Sequence, residues 1–470
     1  MRFTSVDFLL FLAIAASIFR VIPAAWRAAY VLIASYAFYC TTSPRGAIAL
    51  AAATLFTYAG ALWCERLQGT SRAFALTTAI VGVLVAYLMF FKLVVFVPHQ
   101  GITSWIVPLG ISYYSFKLIS YVLDVYWGKM PAARRLIPFA AYVAFFPQIL
   151  AGPIQRSDDF LSQIGNGQTV LPAILRIAWG LAKKLIVADH LATAVNYVYA
   201  HVSGLHGGWW IGFYIWPLQL YADFSALTDI AIGTGRLFGV VGPENFDRPF
   251  NSTSISEYWR RWHMSFTNWL ADYLFMPLRM ATRKLGNVGL VMSITINTVA
   301  IGLWHGIAWG YFIFGILHSI FISFEALTAK RRKRLSKQHP EWEPARNVLG
   351  WFMTFHLVCF ALVFFRAETV SDALYLLRHV ASHVADFRGI FEPEGLNSAR
   401  AFLIGLLGYA LLELCERYRP DRWLAQIRLS GPRYLRWSLY ASTALVLVIG
   451  FALLVATSGE PKNPFVYAIF

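Results

Sequence analysis

The chain has 470 residues, 58% hydrophobic and only 14% charged, against about 25% charged in a soluble protein of ordinary composition. That excludes a soluble globular enzyme and the length rule that goes with one. The formal net charge is +16, but the Lys and Arg side chains gather in short loops between apolar runs. This is the positive-inside pattern of a membrane protein, attractive to anionic lipid heads, and not the footprint of a nucleic-acid binder.

Apolar stretches of about 20 residues recur roughly ten to twelve times along the chain. The first, "VDFLLFLAIAASIF" from Val6, has the look of a signal-peptide core. No small-residue cleavage site follows, so it is read as an uncleaved first membrane helix. The run "AFALTTAIVGVLVAYLMFFKLVVFV" from Ala73 is a clear span. Three proline-containing interruptions come next: "VPLGIS", "FFPQILAGPIQR" and "IWPLQLYADFS". Irregular backbone at membrane depth is tolerated only where protein buries it or where it lines a cavity. These breaks therefore predict a cavity walled by broken helices. Lys117, Asp124, Asp223 and Asp229 are polar groups inside apolar surroundings. Asp223 and Asp229 lie about 120° apart around a helix and form no carboxylate pair. Structural ion pairing is expected for all four.

After "VGPENFDRPFNSTSISE" comes "YWRRWHMSFTNWLADYLFMPLR". Ser254 with Glu257 three residues on fits a capping box, so a helix starts here. Along one helix, Trp259, Trp262, His263, Phe266, Trp269, Leu270 and Tyr273 share a face, with Arg261, Asn268 and Asp272 opposite. Such a helix suits the membrane interface or a cavity wall, and His263 is the anomaly on its aromatic face. Further on, "GLWHGIAWG" places His305 in one of the most apolar regions of the chain. Imidazole is costly in hydrocarbon unless it has a partner or a task. His318, one helical stretch later, reads as structural.

The basic clusters Arg279 to Lys284, "KRRKRLSKQ" from Lys330, and Arg417 to Arg436 are all expected on the cytoplasmic side. Two spans fit between each successive pair. His305 then sits toward the far side, or in a cavity opening that way. The last span, "WSLYASTALVLVIGFALLVATS" from Trp437, runs outward, so the tail "GEPKNPFVYAIF" ends outside. No metal or bound cofactor is expected: the four cysteines show no zinc spacing, HExxH is absent, "GTGRLFG" lacks the P-loop Lys-Ser/Thr, and no GxSxG elbow occurs.

The stretches "PLGISYYSFKLISYVLDVYWG", "FFPQILAGPIQR", "LYADFSALTDIAIGTGRLFG", "PENFDRPFNSTSISEYWRRWHMSFTNWLADYLFMPL" and "LWHGIAWGYFIFGILHS" resemble, in order, the membrane-bound O-acyltransferase family. The likeness is to its bacterial branch, which modifies alginate and teichoic acid. The resemblance implies an all-α polytopic membrane protein, a ring of roughly ten to twelve helices with broken or re-entrant helices around a central cavity. It implies one acyltransferase domain over residues 1–470, with the core at 108–319, N-terminal helices at 1–100, C-terminal helices at 346–457 and a tail at 458–470. His305 matches the family's active histidine, and His263 a second polar position often held by Asn. Trp304, Trp259, Trp262, Arg261, Asn268 and Asp223 are the expected cavity lining. Two departures, "PLRM" where the family has "PLGG" and Ser319 after the second histidine, leave the acceptor open.

A neutral His is suited to taking the proton of an attacking hydroxyl near neutral pH, and His263 to orienting the acceptor or donating to the oxyanion. The implied donor is acetyl-CoA or another acyl thioester. The implied partners are the bilayer, an external acetyl-transfer protein and polysaccharide export machinery, at the bacterial inner membrane. Tyr467 in the tail is a candidate acyl relay, with an aromatic interfacial anchor as the plainer reading. The alternatives are D-alanyl transfer to teichoic acid, and a transporter or flippase without transferase chemistry. Against the last, no two-half symmetry of broken segments is visible.

Overall fold

Lipid demands that every backbone N–H and C=O be satisfied from within, and the apolar runs meet that demand as helices. The computed structural model describes residues 3–94, 108–150, 152–164, 170–205, 207–380, 396–418 and 432. Among them every extended regular element is helical, and the one isolated bridge joins Phe246 to Trp262. Five of these helices are long and apolar enough to cross a bilayer: Pro44–Arg66, Ser71–Leu93, Arg283–His305, Trp309–Gln338 and Pro340–Arg366. Only 22% to 44% of their apolar windows is buried within the protein. Large side chains such as Val288, Phe324 and Leu349 therefore point outward, an apolar area that a protein in water does not leave open. The chain is a multi-pass α-helical membrane protein. The expected first helix is Val6–Val21, with the Ser5 hydroxyl accepting from Phe8 N at 3.2 Å. The span from Trp437 and the tail with Tyr467 lie outside the described residues.

The described residues divide into two compact units, one within 1–181 and 227–244, the other within 182–226 and 245–449. In the first, "VPLGIS" becomes the start of the Ile111–Tyr126 helix. Gly110 there has φ 67°, and a Cβ on it would lie 1.9 Å from the carbonyl oxygen of Ile149, so only glycine fits. "FFPQILAGPIQR" breaks the Leu136–Ala144 helix at Phe145 and continues as the single turn Phe146–Ile149. A polar chain covers this irregular segment. Lys117 Nζ donates to the Tyr142 carbonyl at 3.0 Å and to Gln148 Oε1 at 2.8 Å. Gln148 Nε2 donates to Gln155 Oε1 at 2.7 Å, and Gln155 Nε2 to Asp159 Oδ2 at 2.6 Å.

The ion-pair expectation for Lys117 is thus corrected. Its charge is met by amide and carbonyl oxygens and by the Tyr142 ring, 4.9 Å away. The other three acids are ion-paired. Asp124 lies 3.3 Å from Lys129, and Asp229 2.6 Å from Arg176. In the second unit Asp223 lies 2.7 Å from Lys184, which also reaches Asp189 at 2.9 Å.

The second unit differs from the sequence expectation in two further places. "IWPLQLYADFS" is not an open break: a π-helical turn, Ile211–Ile215, runs straight into the Trp216–Leu237 helix. The wider turn re-registers the hydrogen bonds just where Pro217 has no N–H to give. The single helix expected from Ser254 through the aromatic stretch is broken at His263. The pieces are Ile255–Arg261, Met264–Leu270, a π-turn Ala271–Phe275 and Met276–Ala281.

Candidate active site

The break at His263 has a local cause. His263 is left-handed at φ 45°, a conformation a non-glycine residue holds only when its surroundings over-determine it. Those surroundings are the loop at Asn245. Asp247 N donates to the Arg261 carbonyl at 3.0 Å, and Met264 N to the Asn245 carbonyl at 2.9 Å. Asn245 Oδ1 accepts from Ser265 N at 3.1 Å and from Ser265 Oγ at 2.8 Å, with His263 Nδ1 3.1 Å away. Asn245 is fully buried and His263 nearly so. The imidazole is packed edge-to-face on Phe224, centroids 4.8 Å apart, and lies 5.0 Å from the Phe266 ring.

The helix before the break is held at its start by two carboxylates. The helix starts at Ser254 as expected, with half of the capping box: Ser254 Oγ accepts from Glu257 N at 3.1 Å, while the Glu257 carboxylate accepts from Thr253 N, one residue before the cap, at 2.8 Å. Glu325, from the Trp309–Gln338 helix, adds a clamp. Its two oxygens accept from Ile255 N at 2.6 Å, Ser256 N at 2.9 Å and Ser256 Oγ at 2.6 Å. A carboxylate at a helix N-terminus satisfies orphan N–H groups and complements the dipole. This fixes the direction in which Tyr258, Trp259 and Trp262 project. His318, expected to be structural, accepts at Nδ1 from Trp259 Nε1 at 3.1 Å.

His305 is the last residue of the Gly286–His305 helix. The glycines of "GLWHGIAWG" explain its placement. A Cβ at Gly302 would lie 2.1 Å from the Tyr311 carbonyl oxygen, one at Gly306 2.6 Å from the Tyr311 ring, and one at Gly310 2.3 Å from the Phe364 carbonyl oxygen. Glycine at 302 and 310 lets the Trp309–Gln338 helix lie against both neighbours at backbone distance, the close approach typical of small residues in membrane helices, and Gly306 leaves room for the Tyr311 ring. The His305 ring then meets Phe365 edge-on at 4.7 Å and the Trp304 indole at 4.5 Å.

His263 and His305 border the same small pocket. Tyr258, Trp259 and Trp262 form one wall. Ile301, Phe314, Leu362 and Phe365 bring in residues from the three long helices that end or begin near His305. No carboxylate, Lys or Arg is among the described lining residues. Chemically this is an aromatic pocket with two imidazoles on its wall, groups suited to moving a proton.

The expected lining is met in part. Trp259 and Trp262 line the cavity. Trp304 instead packs behind it, its indole 4.5 Å from His305, 6.2 Å from His263 and 4.4 Å from Phe266. Arg261 turns away to pair with Glu257 at 2.7 Å, Asn268 is exposed, and Asp223 is taken up by Lys184. Arg261 and Asn268 thus stay opposite the aromatic face, as the helical period alone had them. Asn245 had been singled out by nothing but its place in a longer motif. Leu362 and Phe365 carried no signal at all, being ordinary apolar residues of a span.

A sequence model of the membrane-bound O-acyltransferase family matches residues 133–365. A protein of Pseudomonas fluorescens named probable alginate O-acetylase is 31% identical over the whole of both chains. Its Pseudomonas putida counterpart is 34% identical over 385 residues, 78% of this chain and 76% of the relative. A Helicobacter pylori peptidoglycan O-acetyltransferase is 26% identical over 94% of this chain and 91% of its own.

Proposed function

From the premise that the chain belongs to the membrane-bound O-acyltransferase family, we propose that it acetylates hydroxyls of an exported polysaccharide from a cytosolic acyl thioester, with His305 as the base. The observation that carries this is the pairing of His305 with His263 on one otherwise apolar cavity. The hydroxyl oxygen attacks the thioester carbonyl while His305 takes its proton. The C–S bond then breaks, and the departing thiolate recovers that proton as the free thiol. The aromatic wall excludes water, which would otherwise compete for the acyl group.

The relatives named for alginate and peptidoglycan O-acetylation support a polysaccharide acceptor. The described lining supports acetyl over D-alanyl: among the described lining residues no carboxylate stands to meet a D-alanyl ammonium, whose burial unpaired costs several kcal/mol. The setting is the bacterial inner membrane, with an external acetyl-transfer partner and the export machinery beside it. The test is acetyl transfer by the purified protein in lipid nanodiscs from labelled acetyl-CoA, with the acyl content of surface polysaccharide measured in cells. His305→Ala is expected to abolish acylated product while the protein stays folded. Full product from that variant would remove the assignment.

A further inference from the structure

The hydrogen bonds around Asn245 decide which nitrogen of His263 carries its proton. Asn245 Oδ1 accepts from the backbone N–H of Ser265 at 3.1 Å. A backbone N–H can only donate, so the atom it meets is the amide oxygen and not the nitrogen. That same oxygen lies 3.1 Å from His263 Nδ1. An amide oxygen cannot donate, so Nδ1 bears the hydrogen. In the neutral ring Nε2 then carries the lone pair. His318 is set the opposite way: the Trp259 indole N–H donates to its Nδ1, which leaves the hydrogen on Nε2.

We propose that Asn245 is a positioning residue that fixes His263 as the Nδ1–H tautomer, so that its imidazole serves acyl transfer only as a hydrogen-bond acceptor toward the incoming polyol. This rests on the function proposed above. The attacking hydroxyl gives its proton to His305, and a neighbouring hydroxyl of the same acceptor donates to His263 Nε2. The alternative role expected from the sequence, donation to the oxyanion, is closed to a neutral His263 whose only N–H is spent on Asn245. The left-handed backbone at His263 and the two Ser265 bonds belong to the same device: they keep the amide oxygen in place whether or not substrate is bound.

The groups facing His263 are few. Phe224, Phe266 and Trp304 pack against its ring, and Asn245 holds its edge. The other titratable residues on the cavity wall are His305 and Tyr258, with no carboxylate among the described lining residues.

The experiment uses the full-length protein in nanodiscs, labelled with nitrogen-15 at histidine, and reads each ring by long-range nitrogen–proton correlation. His263→Gln identifies the His263 signals. The expected pattern is a protonated-type nitrogen at Nδ1 and a lone-pair-type nitrogen at Nε2. Asn245→Ala is expected to mix the two tautomers and to lower turnover by about 10²-fold, since a wrongly fixed catalytic-site tautomer has cost up to about 10⁴-fold in a serine protease. Asn245→Asp keeps an oxygen for both Ser265 donors and for Nδ1–H, so it is expected to fold and is decisive if the alanine variant does not. Its carboxylate favours imidazolium, so the Nε2 nitrogen of His263 is expected to turn from lone-pair-type to protonated-type at a higher pH than in the native protein. A lone-pair nitrogen at Nδ1 in the native protein, or an Asn245→Asp titration of Nε2 that overlays the native one, overturns the proposal. Native turnover by His263→Gln would defeat the site assignment instead, and leaves the tautomer result standing.

Discussion

Gly302→Ala tests how tightly the position of His305 is held. The added Cβ would lie 2.1 Å from the Tyr311 carbonyl oxygen and 3.0 Å from its carbon. Both are backbone atoms of a packed helix and cannot rotate away. An ordinary non-bonded approach is longer by about 1 Å or more, so the Gly286–His305 and Trp309–Gln338 helices must part by roughly that amount. His305 is three residues beyond, at the end of the displaced helix. A 1 Å misplacement of a reacting group costs about 10²-fold in rate, and overpacking of this kind about 1–3 kcal/mol in stability. The expected result is a protein that inserts, purifies as a single species in detergent, unfolds at lower temperature, and transfers acetyl about a hundredfold more slowly. Gly82→Ala is the matched control. A Cβ there meets nothing within 4 Å, and the exchange is expected to be neutral or to stabilise the Ser71–Val94 helix by up to about 1 kcal/mol. Native turnover and unfolding temperature in Gly302→Ala would refute the claim that close backbone packing sets the histidine.

Glu325→Ala should lower stability by about 2 kcal/mol, the net worth of charge-assisted bonds to a helix start. Thermal unfolding in detergent checks it, and Glu325→Gln should fall between the two. Arg261→Ala and Asn268→Ala should keep acetyl transfer within about twofold of native, because neither side chain reaches the cavity and exposed positions change little; a large loss would return them to the site. Asp223→Ala should cost about 3–5 kcal/mol by removing the buried carboxylate 2.7 Å from Lys184. Unfolding of the double variant Asp223→Leu with Lys184→Met should be closer to native than that of the single one.

The sequence made His305 legible because an imidazole among hydrocarbon residues is an anomaly that needs no neighbours to notice. The helix start at Ser254 was equally local, and the Ser254 hydroxyl caps it as read. What failed was continuity. The aromatic stretch has a regular helical period, and no residue within it announces a stop. The stop comes from Asn245, some eighteen positions earlier in the chain, whose oxygens take the donors of His263, Met264 and Ser265. Lys117 was misread because ion pairing is the common fate of a buried cation, and nothing local predicts that a glutamine, a backbone carbonyl and a ring will serve instead. The Glu325 clamp lies seventy residues from the turn it holds and is visible only once the helices are packed.

The row from Lys117 through Gln148 and Gln155 to Asp159 has a direction. Each amide shows its oxygen toward the cation and its nitrogen toward the anion, so neither glutamine can be turned round or exchanged for its acid. Deamidation of Gln155, a change of one atom group and almost no volume, would set a second carboxylate against Asp159 at the contact now 2.6 Å long. That single change would accordingly loosen the segment around Phe145 and Pro147, at a distance in sequence from any residue proposed to handle substrate.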